Sequence, residues 1–191
     1  MEFLERLFHD LTPAETIELR WKHGRFMERD WVTNPEKLLD SSIKLAKEHD
    51  VYYGVCTRQG RVSRKTGILS ARSLWADVDS LESQRRLNCF RFPPSVVVST
   101  GHGRHAYWLL KHRVDLTTSL KARSFETLGK LIELELASDP VHDITRILRV
   151  PGTINHKEGN RLPVDLVWID LERTYDPNQL WHALGRMGSP G

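Results

Sequence analysis

Hydrophobic and polar positions along the chain change period several times, and each change marks an element. Residues 2–11 have the spacing of a short amphipathic helix. Thr12-Pro13-Ala14-Glu15 reads as the start of a second helix, because the fixed φ and missing N–H of proline suit the first helical position. Asn34-Pro35-Glu36 opens a third, with Leu38, Leu39, Ile43, Leu45 and Ala46 as its apolar face. The first fifty residues are therefore expected to be helical. An apolar and aromatic run at 51–56 then predicts a buried strand, and the basic stretch after it, with Gly60 and Gly67, a loop or hairpin. Residues 73–79 form a strand ending in acids, with Asp79-Ser80-Leu81-Glu82 capping a short helix.

Phe92-Pro93-Pro94 interrupts the chain. Beyond it, Ser95-Val96-Val97-Val98-Ser99 is a β-branched strand, 100–104 a glycine turn and 105–110 the returning strand, a hairpin signature. A long amphipathic helix spans 119–137, and a second helix is expected from about 140 to 149, stopping before Pro151-Gly152. A strand at 162–169 and a helix at 177–184 close the pattern. Helices flanking antiparallel-leaning strands define an α+β class in one domain, 1–191. Within it, 1–50 is the helical N-terminal part, 51–170 the core, and 171–191 a last helix and a tail in which Gly188-Ser189-Pro190-Gly191 reads as a linker.

Composition narrows the class. With 191 residues, 39% hydrophobic and 28% charged, the chain can bury a core without staples. Mean hydropathy is −0.45, and no apolar run approaches the ~20 residues that span a bilayer, so no membrane partner is expected. The acids of Met1-Glu2-Phe3-Leu4-Glu5-Arg6 stand where a signal peptide would be basic and then apolar, which makes the cytoplasm the expected compartment. Cys56 and Cys89 match no zinc or disulfide spacing and read as two buried reduced thiols. The net charge of +3 is modest, but Arg58, Arg61, Arg64, Lys65 and Arg72 fall in a stretch without acids, and so do His102, Arg104, His105, Lys111, His112 and Arg113. Such local excess suits phosphate, because each cation placed on a phosphate releases a condensed counterion.

Candidate chemistry concentrates in three places. Asp77 and Asp79 lie two apart on a strand, so both carboxylates share a face. Two such oxygen ligands resist joint ionisation unless a cation sits between them, and hard divalent ions such as Mg²⁺ or Mn²⁺ fit. Ser99, Gly101, Gly103 and His105 surround a turn rich in backbone N–H groups, which can cradle phosphate. Asp139 precedes Asp143, Arg146 and Arg149, then Pro151-Gly152-Thr153-Ile154-Asn155-His156-Lys157. Asp143 is expected to pair with Arg146 three residues on.

The order Asp77-Val78-Asp79, then Ser99-Thr100-Gly101-His102-Gly103-Arg104-His105, then the long motif from Asp139 to Lys157 resembles the archaeo-eukaryotic primase superfamily. Its primase-polymerase branch, found in phages, plasmids and bacterial mobile elements, is the most similar, over roughly 51–168. The resemblance implies an RNA-recognition-like antiparallel sheet joined to a second α/β unit, with N-terminal helices packed on it. It implies that Asp77, Asp79 and Asp139 hold two Mg²⁺ or Mn²⁺ ions, that His105 touches the incoming nucleotide's phosphates, and that Ser99, Arg149, Asn155 and His156 line the triphosphate pocket. Asp139 is preferred to Asp143 because the family's third acid precedes the helix carrying the Arg-x-x-Arg-x-Pro-Gly pattern. Template-directed nucleotidyl transfer on single-stranded DNA, with nucleoside triphosphates as substrate, is the activity implied. The basic residues at 58–72 would track the template, and a helicase module would belong to a longer parent chain. Two alternatives remain. One is a strand- or origin-binding module without catalysis. The other is a rolling-circle nicking enzyme with a nucleophile such as Tyr107, although His102-Gly103-Arg104-His105 lacks the apolar spacer that class requires.

Overall fold

The computed structural model describes residues 2–185, so the tail at 188–191 lies outside it. Five α-helices and eleven strands are found among the described residues. A short helix, α1 (Glu2–Phe8), buries Phe3, Leu4, Leu7 and Phe8. It leads into a hairpin, β1 (Glu15–His23) and β2 (Phe26–Val32), whose register runs from Ile17 opposite Val32 to His23 opposite Phe26. This corrects the expectation of helix after Thr12. Ile17, Leu19 and Trp21 alternate with Glu18, Arg20 and Lys22, a period-two pattern that burial of Ile17 and Leu19 enforces.

Helix α2 (Pro35–Leu45) begins as expected, with the Asn34 side chain accepting from Lys37 N at 2.8 Å. Three strands follow: β3 (Val51–Gly54), β4 (Thr57–Gln59) and the long β5 (Ile68–Val78). Ser80 caps α3 (Leu81–Asn88) through Ser83 N, again as expected. The predicted hairpin forms from β6 (Val96–Ser99) and β7 (Arg104–Asp115), and the long helix is α4 (Ser119–Leu136).

The segment 140–149 is not a helix. Val141, Ile144, Thr145 and Ile147 are β-branched, and the segment is instead pinned by outside partners: Ile144 N donates to Glu126 of α4, and Trp75 Nε1 donates to Val141 O at 2.7 Å. It ends in β8 (Ile147–Arg149), which pairs with β3. Strands β9 (Thr153–Asn155), β10 (Leu162–Ile169) and β11 (Thr174–Tyr175) and helix α5 (Pro177–Gly185) complete the chain.

One path of paired strands runs β8-β3-β1-β4-β5-β7-β6-β10-β9, with β2 on the free edge of β1 and β11 parallel to β7. The α+β class therefore holds. The N-terminal part is half helix and half hairpin, and β1 bridges the two parts of the sheet by pairing with β3 along one stretch and β4 along another. The core is seated on both parts: Phe3 packs on Tyr107 at 4.7 Å, Phe8 lies edge-on to Tyr53, and the two buried tyrosine hydroxyls bond each other at 3.1 Å. No helix among the described residues is long and apolar enough to cross a membrane. Cys56 is buried as expected, whereas Cys89, the C-cap of α3, is exposed.

Candidate active site

The site is built where β5 ends. Asp77 is the penultimate residue of β5 and Asp79 the first beyond its end, so strand alternation aims both carboxylates to one side. Antiparallel pairing with β7 places His105 directly opposite Asp77, its Nε2 3.8 Å from Asp77 Oδ1. The third acid arrives from α4. Ala137 adopts the left-handed conformation that stops the helix, and Asp139 N then donates to Asp77 O at 3.1 Å. Buried Glu133 holds the following loop, accepting from Val141 N at 2.5 Å and pairing with His142 Nδ1 at 2.6 Å.

Asp77, Asp79 and Asp139 each contribute an oxygen lying within 4.8 Å of the others; strand spacing predicts the first two together, and the family resemblance implied the third. Burial first, then repulsion from Asp79 and Asp139, pushes the Asp77 carboxyl up to about 7. A trio of hard oxygen donors that cannot all ionise comfortably is a suitable seat for divalent cations and a poor one for anything else on this surface. Gly103 lies flush against this trio; a Cβ there would overlap the Asp79 carboxylate.

Across the cleft from the acids stand cations. Arg149 donates to Asp50 at 2.6 Å while its guanidinium lies over the Tyr52 ring, 4.9 Å from the centroid. Arg146 is held by Asp143 at 2.7 Å, the predicted pair, and faces the same cleft. Lys157 and His102 also line this cleft. His105 is buried at the edge of the cleft, and burial together with the nearby Arg149 holds its imidazole down at about 3, so the ring is neutral at physiological pH. Its Nδ1 is buried with no hydrogen-bond partner among the described residues. Asn155 stitches the turn to the cleft floor: its amide donates to Thr100 O at 2.7 Å and its carbonyl accepts from Lys157 N at 3.0 Å.

Two expected pocket residues are displaced. Ser99 pairs with Arg104 while Val98 pairs with His105, so the Ser99 side chain lies on the face away from His105, and Thr100 lines the cleft instead. His156 turns its ring out of the cleft, Nε2 bonding Ala46 O at 2.9 Å at the end of α2, and only its backbone N–H serves the site, donating to Asp50 at 2.8 Å. The basic stretch is also corrected. Arg58 is fully buried and paired with Glu18 at 2.6 Å, so it cannot track a strand. Arg72 is paired with Asp10, and Lys65 with Glu126 at 2.6 Å. Arg61 and Arg64 are exposed. Tyr107 is buried against Tyr53, which removes it as a nucleophile. Tyr52, Asp50, Thr100, His102, Arg146 and Lys157 are site residues that sequence reasoning did not assign, and the aromatic-rich run at 51–56 is the available signal for the first.

A scan against protein-family models finds no match, and a search of curated proteins finds none either. Solved structures do match, and they define a class: the chain has the fold of archaeo-eukaryotic primase domains of the primase-polymerase type. The particular neighbours are a primase-polymerase and a primase. The primase-polymerase domain of cyanophage S-2L superposes with a TM-score of 0.68 at 17% identity, covering 88% of this chain and 89% of that one. The primase RepB′ gives 0.65 at 14% identity, with 97% of this chain and 62% of that one covered. Its catalytic domain in complex with initiator DNA gives 0.63 at 15% identity, with 97% and 93% covered.

Proposed function

We propose that this chain is a template-directed primase-polymerase, making or extending primers on single-stranded DNA by metal-dependent nucleotidyl transfer. The observation that carries this reading is the carboxylate trio of Asp77, Asp79 and Asp139, of which Asp77 and Asp79 line one cleft with Arg146, Arg149 and Lys157. Divalent ions held there would supply charge neutralisation for an attacking 3′-hydroxyl and a leaving pyrophosphate. The protein's own part is positioning. Asp77 and Asp79 come from one strand end and Asp139 from a loop tied to the same backbone, so the donor set is pre-formed. Arg149, fixed by Asp50 and Tyr52, and Arg146, fixed by Asp143, present guanidinium N–H groups to a triphosphate without searching rotamers. A module that only bound DNA would gain nothing from three carboxylates whose mutual repulsion opposes folding.

The neutral imidazole of His105 is suited to donate one hydrogen bond to a phosphate oxygen. Replacement of His105 by Gln should raise the nucleotide KM about tenfold, the range expected for one lost hydrogen bond to a charged group, with a smaller change in kcat. Steady-state extension kinetics check this, and an unchanged KM removes His105 from the pocket. The reading as a whole is tested by incubating the chain with a single-stranded template, labelled ribo- or deoxynucleotides, and Mg²⁺ or Mn²⁺. Labelled product is expected; no product in any combination overturns it.

A further inference from the structure

The strand registers align four residues into one row. Arg29 on β2 faces Arg20 on β1, Arg20 faces Tyr52 on β3, and Tyr52 faces Arg149 on β8. Directly opposed residues share a sheet face, so a line of side chains runs from the triphosphate wall to the outer edge of the hairpin. Lys22 lies on this face too, as does Trp31, two residues from Arg29. The acids of β2, Glu28 and Asp30, alternate to the other side, where α2 packs.

This arrangement opposes folding taken alone. Two arginines directly across a strand pair repel. Glu18 is fully buried beneath them and meets Arg58 at 2.6 Å, Arg20 at 2.7 Å and Arg29 at 3.9 Å, one carboxylate for three guanidiniums. Lys22 is exposed and has no carboxylate partner among the described residues. Glu18 and Asp50 are the carboxylates that meet this row, and they leave a net positive excess beside the half-exposed rings of Tyr52 and Trp31. Cations spaced along a strand row with interleaved aromatics match the phosphates and bases of a single strand.

We propose that the open face of β2-β1-β3, centred on Lys22, Arg20, Arg29 and Trp31, is the docking surface for the single-stranded DNA template. The inference rests on the polymerase reading of the cleft and moves template binding away from the basic stretch 58–72. Phosphates of the strand supply the missing counter-charge, and Tyr52, already in the row, joins that surface to the catalytic cleft.

The test uses fluorescence anisotropy with a labelled oligothymidylate. The triple variant Lys22→Gln, Arg20→Gln, Arg29→Gln should bind at least ~10-fold more weakly at low salt, and the slope of log Kd against log salt should fall by about 2, near 0.7 per cation lost. Its nucleotide KM at saturating template should not change. Lys22→Gln alone, at an exposed position, guards against misfolding of the triple variant and should lower the slope by about 0.7. Lys37→Gln with Lys44→Gln, on α2 behind the hairpin, removes charge without touching the face and should leave binding intact. Unchanged affinity and slope in the triple and single variants overturn the proposal, and so does equal loss in the α2 pair. Duplex DNA bound as tightly as the oligothymidylate overturns the single-strand assignment. A wild-type chain that binds through this face yet extends no primer supports the surface and sinks the polymerase reading, so the two failures are separable.

Discussion

Primer extension by the Asp77→Asn, Asp79→Asn double variant should fall by roughly 10³-fold or more. Loss of divalent-ion stabilisation is worth several kcal/mol at a phosphoryl transition state. Stability should move the other way. The folded protein holds the Asp77 proton up to about 7, against the usual carboxylate range in the unfolded chain, because burial and two neighbouring carboxylates disfavour its charge. The folded state therefore binds more protons than the unfolded state between roughly pH 4 and 7, and stability falls as pH rises through that window. Without divalent ions, Asp77→Asn should flatten this fall and melt at a higher temperature than wild type above pH 7. Mn²⁺ should raise the wild-type melting temperature and leave that of the double variant unmoved. Melting curves with and without chelator, alongside extension assays, give both readouts. Full activity in a folded double variant would end the metal reading, and a wild-type melting temperature independent of Mn²⁺ would end the assignment of these residues as its seat.

What was legible in the sequence follows from which signals are local. The pair Asp77 and Asp79 is readable because strand periodicity alone puts them on one face, and the caps at Asn34 and Ser80 are readable because capping chemistry lies within four residues. Asp139 was placed by its order in a long motif, and the structure supplies the reason it reaches the site: a backbone bond to Asp77. Arg58 shows the limit. A cation in a basic run looks the same whether it meets solvent or a buried partner, and only the crossing of β4 beside β1 brings Glu18 to it. Ser99 and Thr100 differ by one residue, and a one-residue change of parity reverses the face of a strand. The hairpin at 15–32 carried its own alternation, but Thr12-Pro13 gave a competing helix signal immediately before it. The segment 140–149 had polar spacing compatible with a helix, and its β-branched residues were recruited by β3 and α4 instead.

The two glycines of the turn should separate fold from function. Gly101 has φ of 88°, a left-handed backbone that an alanine adopts with strain, and its Cβ would press on the Leu162 side chain. Gly101→Ala should therefore destabilise the fold by about 1–2 kcal/mol or more. Gly103 has no such backbone demand; its constraint is contact. A Cβ at Gly103 would overlap Asp79 Oδ1 and come within 3.0 Å of Asp79 Cα. The backbone here is held by Thr100 N donating to Gly103 O at 2.9 Å and Gly103 N donating to Thr100 Oγ1 at 3.1 Å, so the turn resists moving. The carboxylate of Asp79 is exposed, with solvent on its outer side, and it should give way first. Gly103→Ala should keep a melting temperature within a few degrees of wild type while activity drops about 10²-fold, the scale of a displacement near 1 Å in a catalytic group. The loss should be partly recovered at high Mn²⁺, because a displaced ligand weakens cation binding before it abolishes it. Paired melting and metal-titration measurements on the two alanine variants decide the matter. A Gly103→Ala enzyme with wild-type activity and metal dependence would mean that Asp79 need not sit against the turn, and that the trio is not the pre-formed seat the cleft requires.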